Sequence, residues 1–147
     1  MSKASQRFPI RGAALASALA ASVLLTAALP AAAHHAFAAE FDASQPLALK
    51  GTVTKVRWVN PHSWLYFDVV DDQGNVTNWG VEFSTPNGLA RLGLTKADVA
   101  TGTPIQINGY KSKNGGPFGY SVKLTLPDGR TFQTGNPQDA VAQARTE

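Results

Sequence analysis

The sequence predicts a mainly β protein: a small OB-like barrel, closed or partly open, with one short helix, preceded by a cleaved signal peptide. Three observations predict it. Basic residues lead into a single apolar run that ends in small residues near position 33. From Leu47 to Thr134 the chain reads as short alternating apolar segments between turn residues. The segments come as three strands, a short helix, then two or more strands, the order of an OB-type barrel, with a small β-sandwich as the competing architecture.

Lys3, Arg7 and Arg11 precede the apolar stretch 12–29, followed by Pro30 and Ala31-Ala32-Ala33. These are the three regions of a secretory leader in sequence. Ala31 and Ala33 supply the small side chains required before the cut, so cleavage after Ala33 is expected, with His34 as the new N-terminus. The apolar run approaches the roughly 18 residues of a spanning helix, but the small residues behind it favour cleavage over an anchor. No adjacent arginine pair precedes it, which points to the general secretion route. The expected location is periplasmic or secreted, with no membrane span left after cleavage.

The expected organisation is therefore a signal peptide over 1–33, an N-terminal arm over 34–46, the barrel over 47–135 and a flexible tail over 136–147. The whole chain has 13 Lys and Arg against 10 Asp and Glu; the leader removes three basic residues and no acid, so the rest balances. That balance argues against a nucleic-acid surface. The absence of Cys closes disulfide, thiolate-ligand and thiol-nucleophile chemistry.

Leu47, Leu49, Gly51 and Val53 share one face, whereas Val56 and Trp58 continue on the opposite parity. Such a phase change predicts a bulge near Thr54-Lys55. Asn60-Pro61 breaks the ladder, and 63–70 resumes as a second strand. Asp71 to Asn75 reads as a hairpin turn and 76–83 as a third strand, with Trp79, Val81 and Phe83 opposite Asn78, Gly80 and Glu82. Thr85 and Pro86 open a short helix that Gly93 ends. A strand over 104–110, a Gly-rich loop over 111–117, a cleanly alternating strand over 120–126, the turn Pro127-Asp128-Gly129 and a short strand over 131–134 follow.

The histidines are His34, His35 and His62. With cleavage after Ala33, the amine and imidazole of His34 can chelate one metal ion, and His62 can supply a third nitrogen. Cleavage one residue earlier places His35 third, where amine, two amides and imidazole bind Cu(II) in a plane. An all-nitrogen set without sulfur suits Cu(II) best. The bland reading is adventitious affinity of an exposed terminus, with His62 sitting in a turn. Trp58, Trp64, Tyr66 and Trp79 lie on adjacent predicted strands; those that point outward can form a stacking face for a ligand, while the rest are core. Asp68 and Glu82 read as isolated carboxylates, and Ser63 and Ser84 lack a nucleophile-elbow context. No catalytic residue is expected.

His34-His35-Ala36-Phe37, Glu40-Phe41-Asp42, Leu49-Lys50-Gly51-Thr52-Val53, Trp58-Val59-Asn60-Pro61-His62 and Pro86-Asn87 together carry a resemblance. The chain resembles the exported bacterial domain-of-unknown-function family 6152, from His34 to about Gly135. The resemblance implies a small secreted β-barrel with two histidines directly after the leader and an Asn-Pro-His turn, and no established activity. The periplasmic copper-resistance protein C family is similar in size and in its N-terminal histidine, but this chain has no Asp-x-His element. The expectation is an exported, non-enzymatic binding domain, with Cu(II) as its candidate metal and a small molecule or an envelope protein as its partner. A copper-dependent oxidase and a metal-free envelope-interaction module are the alternatives.

Overall fold

The computed structural model, which describes residues 37–138, is organised around one long strand. β1 (Phe41–Arg57) pairs antiparallel with β4 (Pro104–Ser112) from Phe41 to Thr52, and with β2 (Trp64–Val70) from Thr52 to Arg57. A strand that serves two partners in turn must bend. Gly51 stands at the changeover, and a Cβ there would collide with the Asp68 carbonyl oxygen and the Phe67 ring. The register shifts between Val53 and Lys55, where the change of parity predicts a bulge. The strand also starts earlier than the alternation from Leu47 predicts. A second irregularity between Asp42 and Pro46 absorbs the proline, and the Asp42 carboxylate accepts from Ser44 N–H, Ser44 Oγ–H and Gln45 Nε2–H. A polar, proline-bearing stretch carries no strand-like hydrophobic pattern.

β2 turns into β3 (Val76–Glu82) through Asp71, whose carboxylate accepts the Gln73 and Asn75 amides at 2.9 and 2.8 Å. α1 (Pro86–Arg91) starts as predicted: the Thr85 hydroxyl accepts from Gly88 N–H at 3.0 Å. It stops at Gly93, which takes the left-handed φ of 83°. Asp98 then closes a turn by accepting from Thr95 N–H at 2.8 Å. β4 leads into β5 (Phe118–Thr125) and β6 (Thr131–Gln133).

The strand order is β3-β2-β1-β4-β5-β6 with an added β3–β5 pairing, so the sheet closes into a ring β1-β2-β3-β5-β4 with β6 beside β5. The closure is parallel and short, Gly80 to Glu82 against Phe118 to Tyr120. Leu65, Phe67, Val81, Val53, Ile107 and Leu124 fill the core, and Leu89, Leu94 and Val99 from the helical segment join it. Phe37 and Phe41 form a separate cluster against Tyr110 and Tyr120. The fold is thus mainly β with short helices. The expected leader, His34, His35 and the tail from residue 139 lie outside the described residues.

Candidate functional site

The loop joining β1 to β2 carries a cis Asn60–Pro61 peptide bond and returns to the body of the protein at Ser63. Ser63 N–H donates to the Ser84 carbonyl at 3.2 Å, and Phe83 N–H donates to the Ser63 carbonyl at 2.7 Å. These two bonds clamp the loop to the end of β3 and place His62 beside Glu82. His62 Nδ1 lies 2.7 Å from Glu82 Oε1. The Glu82 side chain is 10% exposed and that of His62 50% exposed. A carboxylate only accepts, so Nδ1 carries the hydrogen. Nε2 is the ring nitrogen with no partner among the described residues.

Burial pushes the Glu82 carboxyl above its ordinary range; the charge of His62 opposes this and that of Glu40 adds to it. Burial disfavours the charged form, and a second carboxylate nearby disfavours it further. The site is therefore one half-exposed imidazole held against a buried carboxyl, with the charge of Glu40 also acting on that carboxyl. Glu82 read as isolated in the sequence, because its partner lies twenty positions earlier and only the fold joins them. Its one local sign was an acidic residue between Val81 and Phe83.

Tyr120 is the register partner of Glu82 across the ring closure. Its ring meets Phe37 at 5.1 Å edge-on and Phe41 at 5.4 Å, while Phe37 also meets Tyr110 at 6.0 Å. Phe37, just before β1, is thereby packed against β4 and β5, and β5 is the strand whose Tyr120 pairs with Glu82. Phe37 itself is 4% exposed.

The four aromatic candidates separate. Trp64 and Tyr66 point outward from β2, with ring centroids 6.4 Å apart and planes within 23°. Trp58 and Trp79 pack against the core instead. Trp58 lines a groove of about 410 Å³ with Pro86, Ala90 and Leu94, whereas Trp79 lines a different cleft with Lys111 and Lys113. Phe118, which the sequence left at the edge of a Gly-rich loop, stands edge-on to Trp64 at 6.4 Å and 81°. His34 and His35 lie outside the described residues. Among those described, no three His, Asp or Glu side chains converge as a metal site.

The model of the family of unknown function DUF6152 matches residues 20–121. No curated protein and no solved structure matches the chain.

Proposed function

Since the chain belongs to this family, to which no activity attaches, we propose from its geometry that it is an exported, OB-like domain that binds Cu(II) through His62 and the N-terminal histidines. The observation that carries the reading is the 2.7 Å contact between His62 Nδ1 and the buried Glu82 carboxylate. A metal-bound histidine characteristically gives its other ring N–H to a carboxylate, which fixes the tautomer and orients the free nitrogen. Glu82 does this for His62, and Nε2 is the ligand it presents.

His34 and His35 are the further donors. Three residues of chain reach at most ~10 Å, so a residue three before Phe37 can reach the neighbourhood of Tyr120 and Glu82. The amine and imidazole of His34, His62 Nε2 and His35 as an alternate make a nitrogen-rich set that favours Cu(II) over Zn(II) and Ni(II). The Glu82 carboxyl against His62 Nδ1 adds to the basicity of the imidazole as a ligand.

The barrel reading rests on the closed ring, with α1 between β3 and β4 and a long bent first strand. Export rests on the leader-like order of residues 1–33.

The test is intact mass of the protein recovered from the exported fraction, followed by Cu(II) titration of the parent, His34→Ala and His62→Ala. An N-terminus at His34 with affinity at least tenfold weaker in both variants is expected. Binding indifferent to His62 overturns the site. Redox turnover by the copper-loaded parent would convert the binding domain into an oxidase.

A further inference from the structure

The outer face of β2 carries a second surface that the copper reading does not use. Cross-strand partners share a face, and two rows of partners run across the ring here. One is Arg57–Trp64–Glu82–Tyr120, the other Lys55–Tyr66–Gly80–Phe118. The exterior of a small sheet is ordinarily polar. This one presents Trp64 and Tyr66 half-exposed, nearly parallel, with Phe118 39% exposed and edge-on to Trp64. Covering a glycine in a sheet accounts for two of the rings, since a Cβ on Gly80 would press on both Phe118 and Tyr66 at 3.0–3.1 Å. It does not account for Trp64 or for the charges beside the rings.

Those charges are of one sign where they are available. Lys55 Nζ sits 5.9 Å from the Tyr66 ring centroid, and Arg57 is the partner of Trp64. Neither is ion-paired among the described residues, and both are exposed. The acids of the same face are engaged: Asp68 accepts from Asn78 Nδ2 at 2.7 Å, and Glu82 is held by His62. The result is a shelf of two rings, an upright third ring at its end, and two unpaired cations along its β1 edge.

We infer that this surface binds a planar, anionic aromatic molecule, an aromatic carboxylate, stacked on Trp64 and Tyr66 against Phe118 with its charge toward Lys55 and Arg57. Stacking supplies the affinity and is indifferent to the detail of the ring. The cations supply the selection of charge. The shelf adjoins the Glu82–His62 pair through Trp64, the register partner of Glu82, but every group in it belongs to the metal-free protein, so the inference does not depend on copper.

The experiment titrates metal-free protein with three probes of one shape: 1-naphthoate, the neutral 1-naphthylmethanol and the cationic 1-naphthylmethylammonium. Binding is read from the indole N–H resonance of Trp64 and from tryptophan fluorescence. Saturable binding in the order anion, neutral, cation is expected, with Trp64→Ala weakening naphthoate at least about tenfold. The exposed double variant Lys55→Gln/Arg57→Gln should keep the stacking and lose the preference for the anion. The titration is run on metal-free protein, so its outcome is read apart from that of the Cu(II) titration. Equal affinity for all three probes, shifts that spare Trp64, or naphthoate binding unaffected by the double variant each overturn the inference.

Discussion

Replacing Phe37 by Ala tests whether the N-terminal arm serves the proposed copper site. The ring is 4% exposed and meets Phe41, Tyr110 and Tyr120 at 5.6, 6.0 and 5.1 Å. Truncating a buried Phe costs about 3–5 kcal/mol. The low end applies here, because two of its neighbours, Tyr110 and Tyr120, are only partly buried. This cluster is separate from the main core. The loss therefore falls on docking of the arm rather than on the ring of strands. About 3 kcal/mol is roughly a 150-fold change in a docking equilibrium. An undocked arm lowers the competent fraction, and the apparent affinity falls with it. Competition with a chelator of known Cu(II) affinity should show the Phe37→Ala protein binding about 10- to 150-fold more weakly, with Phe37→Leu recovering most of the loss. If Phe37 and His62 act on one site, as proposed, the double variant Phe37→Ala/His62→Ala should lose less than the two single losses combined. A Phe37→Ala protein that binds copper within twofold of the parent would refute the reasoning. So would a loss of affinity accompanied by melting of the whole domain.

Three further outcomes are expected. Glu82 has a raised carboxyl pKa in the folded protein, so the folded state holds its proton longer, and stability falls as pH rises from the unfolded value near 4.5 through the folded one. Metal-free Glu82→Gln should melt at or above the parent at pH 7, with the two curves meeting near pH 4, while its Cu(II) affinity drops about 10- to 100-fold; a lower melting temperature at pH 7 refutes this. Gly51→Ala drives a Cβ into the Asp68 carbonyl and the Phe67 ring, costing about 1–3 kcal/mol, and thermal denaturation should show a drop of several degrees or more for a domain of this size. The Asp98 carboxyl, bonded by Thr95 and Arg130, is held at about 2. Its stabilisation is present above the unfolded value near 3.8 and is lost as pH falls through about 2, so Asp98→Asn should lower stability at pH 7 and differ progressively less from the parent in melts taken between pH 4 and 2.

What could be read in the sequence was what neighbouring residues decide among themselves. The Thr85 cap, the Asp71 turn and the phase change at Thr54-Lys55 each depend on a few adjacent positions, and each stands where the pattern puts it. The start of β1 was hidden because Asp42 to Pro46 is held by side-chain hydrogen bonds and a bulge rather than by alternation. The site was legible only as single residues. His62 could be singled out as a loop histidine, but its union with Glu82 depends on Ser63 being tied to Phe83 and Ser84. The aromatic set could be named but not sorted. Parity alone leaves open which face of β2 turns inward, and the arrival of Phe118 beside Trp64 follows from closure between β3 and β5.

That closure has a mechanical consequence. The ring is joined over Gly80 to Glu82 and Phe118 to Tyr120, the shortest seam among β1 to β5, and parallel pairing is the weaker kind per residue. Opening it is the least costly way for the domain to breathe, so amides along this zip should exchange with solvent well before those shared by β1 and β4. Glu82 and Tyr120 sit at one end of the zip, Gly80 and Phe118 at the other. A metal drawn to His62 and an aromatic anion laid across Tyr66 and Phe118 would each fasten the same slit, and slowed exchange at Gly80, Glu82 and Tyr120 would be the common mark of either clasp.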